Sequence, residues 1–310
     1  MESEIVTLIT SRLASVLFLV FILMPVNRLD ATAERQSPTA SELVRAVQDK
    51  GVLANETGYI PQILTLLVSG TRFANHVNVN RPLEDSSLNF YLLSHELHTR
   101  IDTPRAILQS GILGNCAYVG VSNVIICDSD FIDRFLFEHG VFSQVSKDML
   151  PEAKREYQPA FVAWVLGHEL GHVVAGDAPA HFEVANALEQ KRMAAIALVQ
   201  ETESAADLYA ARQIEKDKQL TTSLEAMLML LIDQEVAEKN GKSPSYGVGL
   251  HWDYANERII QYFANQDHPE FVIRATRILT VIAADTHDQA LKALIDTFAR
   301  HLVQVDGENH

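Results

Sequence analysis

Two histidines four apart, with a glutamate directly after the first, are the residues of this chain best suited to chemistry: H-E-L-G-H at 168–172. They sit in the apolar run A-F-V-A-W-V-L-G-H-E-L-G-H-V-V-A, which reads as a helix ending at Gly176-Asp177. Four residues advance a helix by about 6 Å and turn it by only about 40°, so His168 and His172 project from one face and can grip one Zn²⁺. Glu169, one step round, can reach a zinc-activated water without being a ligand and take its proton as general base. Catalytic zinc needs a third protein ligand and one open position. E-S-A-A-D at 203–207 offers it, because Glu203 follows His172 by 31 positions, an interval that suits an antiparallel helix pair. Asp207, one turn on, would accept the distal N–H of a zinc-bound imidazole and fix its orientation. The competing reading makes Glu203 and Asp207 a solvated acidic face. Against it stand Ala205 and Ala206, small enough for close packing on the histidine helix.

These residues need a frame, and from Pro159 onward the pattern is almost wholly helical, with helices expected at 159–175, 182–217, 221–239, 253–265, 270–284 and 287–304. The front half is mixed. Residues 60–101 show helix-like apolar spacing broken by N-H-V-N-V-N-R-P, and 115–128 reads as a hairpin turning on Gly120-Val121-Ser122-Asn123. With 119 and 124 closing the turn, 118 faces 125, 117 faces 126, and Cys116 faces Cys127. These two cysteines are the chain's full complement, and the register allows either a disulfide or two buried thiols. Many helices and few strands give an α+β class, a mostly helical body beside a small sheet. His95-Glu96-Leu97-His98 has its histidines three apart and no partner carboxylate motif, so it reads as a surface helix. His181 lies near the zinc helix, and His251-Trp252 follows the Gly-rich S-Y-G-V-G-L; either histidine could reach the metal in a latent state.

Composition bounds the rest. At 310 residues, 47% apolar and 21% charged, the chain can bury a core. Forty acidic against twenty-five basic residues give a net charge of −15, which argues against a nucleic-acid partner. A mean hydropathy of +0.02 excludes a polytopic membrane protein. One apolar run, Leu13–Val26, follows Arg12 and precedes Ala31-Thr32-Ala33, the order of a secretory signal. Residues 1–33 are therefore expected to be a cleaved signal or a single membrane anchor, 34–58 a polar linker with a short helix at 41–50, and 59–310 the functional domain. An exported, extracytoplasmic location follows, with membrane association through residues 13–26 if the run is retained.

H-E-L-G-H with E-S-A-A-D resembles the gluzincin zinc endopeptidases of the CAAX-prenyl-protease and HtpX type, which carry H-E-x-x-H and then E-x-x-A-D. The likeness covers about residues 110–280. Members also show a strand beginning N-A and a hairpin whose edge binds substrate; Asn115-Cys116-Ala117-Tyr118 and Val124-Ile125-Ile126-Cys127-Asp128 look similar. The element H-P-x-x-x-x-R recurs in the family, and His268-Pro269 through Arg274 has that form. The resemblance implies a zincin-like fold with one Zn²⁺ held by His168, His172 and Glu203, and Glu169 as catalytic base. It further implies that His268 bonds the tetrahedral intermediate, unless it merely caps a helix begun by Pro269, and that Arg274 steadies Asp207 or the site's carboxylates. The interval of 31 is short for the family. The expected activity is hydrolysis of peptide bonds in a protein or peptide substrate, with Val124, Ile125 and Ile126 as the edge strand that binds it. The alternative is a non-proteolytic or latent zinc-binding envelope protein acting as a chaperone or adaptor.

Overall fold

The computed structural model describes residues 40–49, 58–98, 102–109, 112–119, 123–138, 141–142, 145–176, 189–239 and 271–283. In chain order these form α1 (Ala40–Asp49), α2 (Ile60–Leu67), β1 (Val77–Val79), β2 (Leu88–Leu93), a 3₁₀ turn (His95–His98), α3 (Arg105–Gln109), β3 (Cys116–Tyr118) and β4 (Val124–Asp128). There follow α4 (Ser129–Glu138), α5 (Leu150–Ala175), α6 (Glu189–Ile214), α7 (Lys218–Lys239) and α8 (Phe271–Ile282). The class is α+β, mostly helical with a four-stranded sheet. The helices expected at 253–265 and 287–304 lie outside the described residues, as do His181, His251, Trp252, His268 and the whole of 1–39. Among the described residues no helix is long and apolar enough to cross a membrane.

The sheet order is β1-β2-β4-β3, with β1, β2 and β4 parallel and β3 antiparallel to β4. Both faces are covered, which explains the near-continuous apolar runs L-N-F-Y-L-L and V-I-I-C. On one face Leu88, Phe90, Leu92, Ile125 and Cys127 pack with the large helices; on the other Tyr91, Leu93, Val124 and Ile126 pack with α1 and α3. A two-sided buried strand carries no alternation of polar and apolar residues, so its six-residue run was compatible with helical spacing. Residues 88–93 accordingly form a strand where helix-like spacing was expected.

Two other expectations change. The short helix placed in a linker belongs to the core: Leu43, Val44 and Val47 are buried beneath the sheet's outer face, each worth roughly 1.5–3 kcal/mol. Gln48 adds a hydrogen bond of 2.9 Å to the Tyr91 hydroxyl. Second, Val124, Ile125 and Ile126 are not an edge. Each pairs with β3 on one side, or lies beside it at the turn, and with β2 on the other, and all three are fully buried. The outer strand on that side is β3, because β2 joins the hairpin through a parallel pairing that the hairpin's own sequence does not specify.

Candidate metal centre

The site is built on the packing of α5 against α6. Gly167 and Gly171 sit one turn apart on α5, facing Ala210 and Ala206 of α6. A Cβ at position 171 would lie 2.7 Å from the Cα of Ala206, and one at 167 would lie 2.8 Å from the Cβ of Ala210. Glycine is required at both places because the backbones approach too closely for a side chain. This contact brings Glu203, one turn before Ala206, up to His168 and His172. Gly176, with φ of 74°, then ends α5 in the left-handed conformation, its N–H capping the His172 carbonyl at 3.0 Å.

His168, His172 and Glu203 form a group that could hold a metal ion. His168 Nε2 lies 3.2 Å from His172 Nε2 and 3.2 Å from Glu203 Oε2, and His172 Nε2 lies 3.5 Å from Glu203 Oε1. Donors on a tetrahedral zinc at about 2.0–2.2 Å stand roughly 3.3–3.6 Å apart, so the two imidazole nitrogens and the Glu203 carboxylate, which turns one oxygen to each histidine, are spaced close to what a metal ion needs. Two imidazoles and one carboxylate are also the donor set of an open, catalytic zinc rather than a closed structural one.

Beside this group lies an ionic relay. His168 Nδ1 is 2.9 Å from Asp207 Oδ1, and the Arg274 guanidinium donates to Asp207 from Nε at 2.9 Å and from Nη2 at 3.0 Å. Asp207 accepts the Nδ1–H and turns Nε2 toward the cluster, where it donates to Glu203 while protonated and offers a lone pair once that proton is lost. Burial and the Arg274 charge both oppose protonation of His168, yet Asp207 and Glu203 outweigh them and push its pKa up to about 9. Burial likewise opposes charging His172, but Glu203 raises it. Glu203 is held far below the usual carboxylate range: burial alone would raise it, and hydrogen bonds from both histidines, with the charges of His168 and Arg274, overcome that. Asp207 is depressed in the same way by Arg274 and His168 against its burial.

Glu169 faces the sheet. The backbone N–H of Tyr118 in β3 donates to Glu169 Oε2 at 2.7 Å. Burial pushes the Glu169 carboxyl up, opposed by the two histidines and by that N–H. The hairpin has the expected register, with Cys116 opposite Cys127, Ala117 opposite Ile126 and Tyr118 opposite Ile125. Val119 N–H donates to the Val124 carbonyl, so by alternation the polar groups of Cys116 and Tyr118 point away from β4, and 116 with 127 is a non-hydrogen-bonded pair. Cys116 and Cys127 are joined as a disulfide at a Cα separation of 4.0 Å.

The structure thus brings together His168, Glu169, His172, Glu203, Asp207 and Arg274. His95–His98 forms a 3₁₀ turn. Sequence reasoning missed Tyr118, whose contribution is a backbone amide and leaves no mark in side-chain pattern. It also missed Gly167 and Gly171, although two glycines at a spacing of four on a helix were a readable sign of close helix approach. The chain matches no family model, no curated protein and no solved structure.

Proposed function

We propose that this protein is a zinc metallopeptidase of gluzincin type that hydrolyses peptide bonds. The observation that carries the reading is the position of Glu169: half-buried, adjacent to a two-histidine, one-carboxylate face, and held by an edge-strand amide rather than used as a ligand. His168, His172 and Glu203 would hold the zinc, which when bound supplies Lewis acidity that eases deprotonation of water and polarises a carbonyl. Glu169 accepts the proton of the attacking water as its oxygen bonds the carbonyl carbon. It then returns that proton to the departing amine as the C–N bond breaks. Its raised pKa suits both halves of this exchange. Asp207 and Arg274 keep the His168 imidazole in one tautomer and one orientation throughout. An extended peptide would donate to the Cys116 and Tyr118 carbonyls on the outer side of β3, the N–H groups of these residues being held by Asn115 and Glu169. Export, the expectation from residues 13–33, is supported by the Cys116–Cys127 disulfide, a bond that persists in oxidising compartments.

The test is metal content and casein hydrolysis of the full chain, wild type and Glu203→Ala, with and without a chelator. One zinc per chain, lost in the variant, together with chelator-sensitive cleavage is the expected result. Stoichiometric zinc without cleavage would replace the peptidase by a zinc-binding module, and no zinc would end both.

A further inference from the structure

Resting on the metal-centre reading above, we infer that Arg277 is a positioning residue for Glu203, acting through Ser204 to set the rotation of α6 at the third ligand. Arg274 and Arg277 lie one turn apart on α8, and their partners Asp207 and Ser204 lie one turn apart on α6 in reversed order. This is the pattern of two antiparallel helices joined by two rungs. The Arg274 rung reaches the metal centre directly, through Asp207 and His168. The second rung, from Arg277 Nη1 to Ser204 Oγ, touches no ligand atom but grips the residue next to Glu203.

The need for it follows from the way α6 meets α5. Gly167 and Gly171 against Ala210 and Ala206 form a wall that limits approach, but four residues without long side chains interdigitate little and resist rotation weakly. Turning α6 by about 10° would carry a carboxylate roughly 6 Å from the helix axis by about 1 Å. A displacement of that size separates a ligand from its metal. Arg277 is anchored for the task, since its helix is fixed by Ala275, Ile278 and Leu279, all fully buried. A hydrogen bond on the α8 side of α6 opposes the rotation that the α5 side permits.

Cobalt(II) binding to the full chain tests this, read by its d–d absorption, which reports ligand geometry, and by competition with a chelator for affinity. Arg277→Met and Ser204→Ala should each weaken binding about 10–100-fold and alter the spectrum, with Arg277→Lys recovering part of both. Thermal unfolding of the metal-free Ser204→Ala protein should stay close to wild type. If Arg277→Met does not fold, Ser204→Ala, which deletes one hydroxyl, carries the test alone. Wild-type affinity and spectrum in the folded variants would overturn the inference while leaving the metal centre standing. Loss of affinity only in proportion to lost thermal stability, with an unchanged spectrum, would also overturn it. Failure of the wild-type chain to bind cobalt or zinc would remove the metal centre and the inference together.

Discussion

The α5–α6 contact and the β3–β4 hairpin hold the two halves of the site by opposite means. Between the helices, glycine and alanine bring backbone against backbone, and the ligands ride on rigid elements of 26 residues each. The hairpin offers a three-residue outer strand, clamped by a disulfide, that reaches Glu169 with a single amide. The first arrangement has no slack along the line of approach, so adding even one methyl there is costly. The second is local and tethered, so its failure should affect Glu169, the proposed general base, and spare the proposed metal ligands. Metal affinity and turnover should therefore separate by region.

The largest break is expected at Gly171→Ala. Its Cβ would meet the Ala206 backbone rather than a side chain that can swing away. Overpacking of this kind costs about 1–3 kcal/mol, and here the helix carrying Glu203 must move. Zinc affinity should fall more than 100-fold, with a lowered unfolding temperature; unchanged affinity by chelator competition would show that the helix contact does not set ligand geometry. Asp207→Asn comes next. It keeps the shape but removes the charge that His168 faces, and should weaken zinc binding about 10–100-fold.

Acidity should act on the helix region in a graded way. His168, with its pKa near 9 in the metal-free protein, must lose a proton when Nε2 becomes a ligand. Zinc affinity should therefore rise with pH by at least about tenfold per unit up to about pH 9 and flatten above it. Metal-free stability follows the opposite sign for this group. The raised His168 pKa stabilises fully below its unfolded value of about 6.5, and that contribution is lost as pH climbs through 9. Glu203 and Asp207, both depressed, stabilise above their unfolded values of about 4 and lose that contribution in acid. The metal-free protein should thus be most stable between about pH 5 and 6.5, which denaturant midpoints against pH would check.

The smallest effect belongs to the hairpin. Replacing Cys116 and Cys127 by serine removes a constraint worth at most about 2–3 kcal/mol for so short a loop. β3 should loosen its hold on Glu169, lowering kcat several-fold while zinc affinity stays at the wild-type value. Equal loss of both would erase the distinction between the regions.

What could be read from the sequence was what local periodicity determines. The 3.6-residue repeat placed His168 and His172 on one face, the same repeat put Asp207 one turn from Glu203, and two β-rich runs either side of Gly120-Val121-Ser122-Asn123 gave the cysteine register. Non-local facts were not readable. Nothing within Val124–Asp128 says that a parallel β2 will cover its other side, and a strand buried on both faces, such as Leu88–Leu93, shows no two-residue alternation. Leu43, Val44 and Val47 form an apolar stripe too short to distinguish a linker helix from a core one. The Tyr118 amide and the Arg277–Ser204 contact depend on which elements meet, which only the assembled chain reveals.

The role of Glu169 is tested by the zinc content and peptide-bond hydrolysis of Glu169→Gln beside wild type, both as the full chain. Glutamine keeps the volume and the contact to β3 but cannot take a proton. One zinc per chain in both proteins and cleavage only by wild type are expected. Cleavage by Glu169→Gln at the wild-type rate would contradict that role.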